Sequence, residues 1–259
     1  MIELEGLTKD FGSLRAVDGI SLAIPRGEFF AVLGPNAAGK TTTIKMMVGL
    51  IRPTAGRARI AGFDIQENPL EARARLSYVP DFPFLYEKLT PAEFLRFTGR
   101  LFRMSDARIL EQCDELVPRF NLEEWLDRPI ESLSHGTRQR IAIASALLHR
   151  PEVFIIDEPM VGLDPHHARV VKDILRERAT RDGMTVFLST HQVSVAEEMA
   201  DRIGVFHQGR VIACGDAAEL RSRSGTRGSL EAAFLALTRG VDAGYPCAEP
   251  HGSHSGVRV

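Results

Sequence analysis

Cysteine is scarce in this chain. Cys113, Cys214 and Cys247 are spread across 259 residues, far apart and in no metal-ligand spacing. That excludes a zinc site and suits a reducing compartment with no disulfide framework. Long apolar runs are missing too. The longest, around IAIASALL and VFII, fall well short of the ~18 residues a membrane span needs. Any membrane role is therefore expected to come through a partner. The N-terminal stretch MIELEGLTKDFG lacks a charged-then-apolar leader pattern. A one-sided charge is also absent: the formal net charge of -2 exerts no global pull toward nucleic acid. Arginine outnumbers lysine, which reads as base composition rather than as a recognition surface. What is present is ordinary globular material, 44% hydrophobic and 25% charged, enough for one large domain or two modest ones.

Short apolar runs alternate with helical patterns. IELEGL, ISLAI and FFAVL read as early strands, and Val153–Ile156, Thr185–Leu188 and Ile203–Phe206 as later ones. Continuous apolar strands separated by helices predict a mostly parallel α/β sheet. Thr90-Pro91-Ala92-Glu93 has a capping hydroxyl, a proline at the first helical position and a glutamate closing the capping box. Asp164-Pro165 repeats the cap-then-proline start. Between Glu87 and Arg150 helical patterns such as AEFLRFTGRLF predict a helical insertion. Ser222 to Gly228 reads as a linker, and Leu230, Phe234 and Leu237 as one face of a short amphipathic helix. The Gly-, Pro-, Ser- and His-rich residues from Gly240 are expected to be disordered.

The most informative stretch is GPNAAGKTTT, starting at Gly34. Gly34 to Thr41 fits G-x-x-x-x-G-K-[ST] between an apolar strand and a helix. Backbone N–H groups of such a loop and of the following helix N-terminus converge on an anion. Lys40 is placed to reach the β- and γ-phosphates, and the Thr41 hydroxyl to ligate Mg²⁺. Alanine at position 37 keeps its N–H but disfavours positive φ, so Ala37 is expected in an ordinary φ region. A second feature, VFIIDEP from Val153, places Asp157 at the carboxyl end of a buried strand, where open α/β sheets bind ligands. Asp157 would hold Mg²⁺, directly or through water. Glu158 would orient or deprotonate an attacking water. Acidic residues often end apolar strands, and it is the phosphate loop that turns this pair toward nucleoside triphosphate hydrolysis.

With these motifs in place, Met1 to about Leu220 resembles the ATP-binding subunit of an ABC transporter. LSHGTRQRIAIASALLHRP, from Leu133, is similar to the family's LSGGQ-type signature, with His135 in place of a glycine and Thr137 in place of the glutamine. Ser134 and Gly136 remain as the implied phosphate contacts; read from physics alone, this is a serine cap at a helix N-terminus. MVGLDP, Met160 to Pro165, resembles the D-loop, and LSTH, ending at His191, the switch histidine that contacts γ-phosphate. Phe11 stands where the family places an adenine-stacking aromatic, with Val17 expected to pack beside it. YVPD, Tyr78 to Asp81, occupies the Q-loop position, where the family usually has glutamine instead of Asp81. Aspartate offers a hard oxygen to Mg²⁺ but no amide donor.

The resemblance implies a P-loop NTPase fold with a mostly parallel central sheet, an antiparallel β subdomain on its N-terminal side and an inserted α-helical subdomain. The ATP-binding domain would span residues 1–225, with the insertion at about 87–150, and residues 226–259 would form the short helix and tail. ATP and Mg²⁺ are the implied ligands. Nucleotide contacts would come from Phe11, Val17, Gly34, Pro35, Asn36, Ala37, Ala38, Gly39, Lys40, Thr41, Thr42, Ser134 and Gly136. Metal contacts would come from Thr41, Asp81 and Asp157, and catalysis from Glu158, His191 and Lys40. Each phosphate loop would face the signature of a second copy or a paired ABC subunit. An integral membrane permease would be the other partner, no nucleic acid is expected, and the chain would sit on the cytoplasmic face of the cell membrane. The wording of MVGLDP, LSHGTRQR and SLEAAFLALT is most similar to the exporter branch with separate membrane subunits. Two alternatives stay open on the residues alone: a soluble ABC-type ATPase acting on ribosomes or nucleic acid, and a non-hydrolysing ATP-dependent dimerisation switch.

Overall fold

The computed structural model describes residues 1–225 and 228–239. In chain order the strands are β1 (Ile2–Phe11), β2 (Leu14–Ile24), β3 (Phe29–Leu33), β4 (Ala55–Ile60), β5 (Phe63–Asp64), β6 (Leu76–Val79), β7 (Val153–Asp157), β8 (Thr185–Thr190), β9 (Arg202–His207) and β10 (Arg210–Gly215). The helices are α1 (Lys40–Met47), α2 (Pro69–Arg73), α3 (Pro91–Leu101), α4 (Asp106–Arg119), α5 (His135–Leu147), α6 (Pro165–Asp182), α7 (Val193–Met199), α8 (Ala217–Arg223) and α9 (Leu230–Arg239). An antiparallel sheet runs β2-β1-β4-β5, and a second sheet runs β10-β9-β3-β8-β7-β6. In the second, β3, β6, β7, β8 and β9 are parallel to their neighbours and only the β9–β10 pair is antiparallel.

The parallel strands are rich in apolar residues because both faces are covered, and β3 is apolar at every position. Side chains alternate between two cores. Phe29, Ala31 and Leu33 of β3 join Phe154 and Ile156 of β7 on the face packed by α3 to α7. Phe30 and Val32 join Val153, Ile155 and Phe187 on the other face, which meets α1 and the antiparallel sheet through Ile44, Met46, Leu4 and Ile60. The rings of Phe30 and Phe187 stack at 5.9 Å. Fully buried side chains of this size contribute roughly 2–3 kcal/mol each, so the central strands hold the two layers together.

Between Glu87 and Arg150 only helical elements and turns occur among the described residues, as expected. The Thr90 box closes in both directions: Glu93 N–H donates to Thr90 Oγ1 at 3.2 Å, and Thr90 N–H donates to the Glu93 carboxylate at 2.9 Å. Asp164 caps α6 by accepting from the His167 N–H. The stretch read as a linker from Ser222 begins inside α8, whose start is held by a capping box between Asp216 and Glu219. α9 forms as the amphipathic pattern requires, and Leu230 and Ala233 are buried in the same core as Leu220 and Ile212. The tail expected to be disordered lies outside the described residues. Cys113 is a free thiol, and Cys247 lies outside the described residues.

Candidate functional site

Register in the parallel sheet builds the site. Leu33 pairs with Thr190, Asp157 with Ser189, and Val79 with Ile156. The segments that leave these strands therefore emerge at one carboxyl edge. They carry the loop from Gly34, Glu158, His191 and Asp81.

The loop turns into α1 at Gly39, the N-cap, with φ 99° and no side-chain cap. A Cβ there would lie 2.7 Å from the Ala16 carbonyl oxygen, so only glycine fits. With no capping side chain, the helix-start N–H groups are left to an anion. Lys40 Nζ folds back and donates to the carbonyls of Gly34, at 2.5 Å, and Pro35, at 3.2 Å. Burial lowers the Lys40 pKa below the ordinary lysine value, against the opposing charges of Glu158 and Asp157. Ala37 adopts φ 64°, which overturns the expected ordinary conformation. The turn geometry needs a left-handed residue at this point, and the loop carries the strain.

Thr41 Oγ1 donates to Asp157 Oδ2 at 2.8 Å. Asp157, at the end of β7, is buried. Glu158 follows in the left-handed region with φ 49°, and its N–H donates to the Ser189 carbonyl at 2.8 Å. One Glu158 carboxylate oxygen lies 2.8 Å from His191 Nδ1 and the other accepts from Thr190 Oγ1 at 3.2 Å. An ionised carboxylate only accepts, so Nδ1 of His191 carries the proton in this pair. Asp81 lines the same cleft. Burial raises its pKa first and the charge of Asp157 second, while His135 and His191 oppose the shift. The oxygens of Thr41, Asp157 and Asp81 are the hard donors that Mg²⁺ prefers, and Mg²⁺ commonly takes its remaining ligands from phosphates and water. Among the described residues no group of three or more His, Cys, Asp or Glu side chains is placed to hold a metal by itself.

The cleft has a volume of about 570 Å³. At its outer end Phe11 is half exposed, with Lys9 Nζ 5.1 Å from the ring centroid. Val17 does not line the cleft. It is fully buried behind Gly39, and Ala16 faces the cleft. Pro35 to Thr42 line it. Sequence reasoning missed Arg15, Gln208 and Gly209. Gly209 N–H donates to Ala38 O at 3.0 Å, and Gly209 O accepts from Asp18 N–H at 2.8 Å. The β9–β10 turn thus braces the loop. Its Gln-Gly dipeptide signals a turn, but nothing local signals what the turn rests on.

Ser134 and Gly136 are not part of this cleft. Ser134 caps α5 and accepts from the Thr137 N–H. Gly136 lies against the Gly162 carbonyl, which a Cβ would approach to 2.7 Å. One chain therefore presents the phosphate loop and the α5 start as separate surfaces.

Residues 17–161 match the family described as ABC transporter. A daunorubicin/doxorubicin resistance ATP-binding protein of Streptomyces peucetius is 41% identical over 87% of this chain and 68% of its own length. A Nod factor export ATP-binding protein of Ralstonia nicotianae is 38% identical over 85% of this chain and 68% of its own length. A dimeric ATP-binding cassette in a post-hydrolysis state bound to ADP and Pi superposes with a TM-score of 0.77 at 27% identity, covering 83% of this chain and 98% of that one.

Proposed function

Because this chain belongs to the ABC transporter family, we propose that it is the ATP-hydrolysing subunit of an exporter whose membrane-spanning part is a separate protein. The observation that carries the reading is the contiguous set Thr41–Asp157, Glu158–Thr190 and Glu158–His191 beside a preformed phosphate loop. The adenine ring stacks on Phe11, and the phosphates enter the N–H cradle from Gly34 to Thr42. Lys40 exchanges its two loop carbonyls for the β- and γ-phosphates. Mg²⁺, when bound, supplies charge neutralisation across those phosphates, and Thr41, Asp157 and Asp81 are the residues that would hold it. Glu158 orients the attacking water and accepts its proton, and His191 holds the Glu158 carboxylate from its other side. Ser134 and Gly136 complete the site from a second copy or a paired ABC subunit, because they lie outside the chain's own cleft.

No helix among the described residues is long and apolar enough to cross a membrane. The proposed permease contact is a groove of about 460 Å³ lined by Leu50, Tyr78, Phe84 and Phe102. Phe84 is 92% exposed and Phe82 70%, an unusual display of aromatic surface that a partner would cover. The location that follows is the cytoplasmic face of the cell membrane. Glu158→Gln is the test. It should keep nucleotide binding, lower turnover about 100-fold or more, and accumulate an ATP-bound dimer in gel filtration. Parental turnover would remove Glu158 from the mechanism.

A further inference from the structure

The start of α5 is tied to the end of α4 by a polar chain that the phosphate-loop chemistry does not use. α4 ends at Arg119 with Phe120 as its C-cap, followed by Asn121 at φ 51°, a left-handed stop that leaves carbonyls without helical partners. Arg140, on α5 and almost fully buried, fills that gap. Its Nη1 donates to Phe120 O at 2.5 Å and to Asn121 O at 2.8 Å. Its Nη2 donates to Thr137 Oγ1 at 3.2 Å. Thr137 is buried as well, and its Oγ1 lies 2.9 Å from Ser134 Oγ. Ser134 itself is exposed.

The direction of these bonds follows from the groups. A guanidinium only donates, so Thr137 Oγ1 accepts from Arg140, and in the Thr137–Ser134 hydroxyl pair either oxygen can be the donor. The Thr137 N–H donates to the same Ser134 oxygen at 3.2 Å. With Thr137 as the hydroxyl donor, Ser134 Oγ accepts twice, and its own proton is left to point away from the helix, toward solvent. We propose that Thr137 and Arg140 are positioning residues that fix the Ser134 hydroxyl as an outward donor for the γ-phosphate held by the facing subunit. The proposal rests on the composite-site reading above. It gives a physical reason for threonine at position 137: a hydroxyl can receive from arginine and pass its proton on at the same oxygen. Because the chain starts at the α4 terminus, a shift of α4 against α5 would release the Ser134 proton from its set direction.

The test uses the purified full-length chain and four variants: Ser134→Ala, Thr137→Val, Thr137→Ser and the double variant Ser134→Ala/Thr137→Val. Turnover is measured against ATP concentration, and cleft affinity by fluorescent-ATP titration at protein concentrations where the chain is monomeric. Loss of an aligned hydrogen bond to a charged group is worth about tenfold or more. Thr137→Val should lower kcat roughly five- to tenfold with cleft affinity unchanged. Thr137→Ser should restore kcat to within about twofold, and the double variant should be no slower than Ser134→Ala, since Thr137 acts only through Ser134. Three results would each overturn the proposal: parental turnover in Thr137→Val, no rescue by serine, or losses that multiply in the double variant. If Ser134→Ala itself turns over ATP at the parental rate, the composite-site reading fails and the proposal with it, an outcome distinct from the other three. Should Thr137→Val not fold, Thr137→Ala poses the same question, because serine alone retains the hydroxyl.

Discussion

Ala37 and Glu158, two of the strained residues that line the cleft, have different reasons to be strained. Ala37 and Glu158 both take positive φ. Glu158 is tied through its N–H to Ser189 and through its carboxylate to Thr190 and His191, so its backbone aims a side chain. The Ala37 methyl group has no such task. The left-handed region costs a non-glycine residue about 1–2 kcal/mol, and glycine returns roughly 0.4–1 kcal/mol of that through a freer unfolded chain. Ala37→Gly is therefore expected to raise stability by up to about 1 kcal/mol, read as a higher Tm; a lower Tm would contradict the strain assignment. His149 makes a second residue-scale prediction. Its ring stacks on Phe102 at 3.6 Å, and burial pushes its pKa down to about 4 from 6.5. The folded state thus favours the neutral ring. Its contribution to stability is complete above about pH 6.5 and is lost as pH falls toward 4, with a change on the order of 2 kcal/mol between pH 7 and 5. His149→Phe keeps an aromatic stack and removes the titration. Its denaturant midpoint should fall less between pH 7 and 5 than that of the parent chain, and equal slopes would show that another group governs the acid limb.

Among elements, α4 of the inserted helices is tied to α6 of the central domain by ion pairs. Glu115 accepts from Arg178 at 2.6 Å and from Arg150 at 3.1 Å, with Arg119 at 3.6 Å. Arg178 comes from α6 and is buried, and its other ionic partner is Asp182 at 2.8 Å. Removing one partner of a buried pair costs about 3–5 kcal/mol. Glu115 is a third exposed and Asp182 remains, so solvent screening reduces that figure. Glu115→Gln is expected to cost about 1–2 kcal/mol by equilibrium denaturation. A change below a few tenths of that would mean that the Glu115 ion pairs add little and that other contacts, the Arg119–Glu177 pair among them, hold α4 against α6. The same element carries the Phe120 and Asn121 carbonyls that Arg140 caps, so loosening α4 also reaches the α5 start.

For the molecule as a whole, the decisive arrangement is the separation of the phosphate loop from Ser134 within one chain. A mixed dimer tests it. One chain carries Ser134→Arg and the other Lys40→Ala. If Ser134 acts across the interface, both lesions fall in the same composite site and the second site stays intact. ATP-driven association should then persist through that site, measured by gel filtration of differently tagged chains. If Ser134 acts within its own chain, each site carries one lesion and association is lost although both chains fold.

The sequence alone determined the chemistry that is local in the chain. Gly34 to Thr41 is contiguous, and both its fit to a phosphate and the helix that follows are set by neighbouring residues. The same holds for the Thr90 and Asp164 caps and for apolar strands such as FFAVL and VFIID, whose every position is buried. β4 escaped because AGRARI alternates arginines on an exposed face, and β6 because four residues carry too little pattern. Only the tertiary structure decided what depends on register and on approach between distant segments. Pairing of Asp157 with Ser189 and of Leu33 with Thr190 brings Glu158 to His191 and Asp157 to Thr41. Contact with Gly39 sends Val17 into the core, and contact with Ala38 brings the Gln208–Gly209 turn to the loop. The positive φ of Ala37 and the bond from Arg140 to Thr137 belong to the same class. A residue type states which bonds it can make, but which partner it meets is set by the packing of strands and helices far apart in the chain.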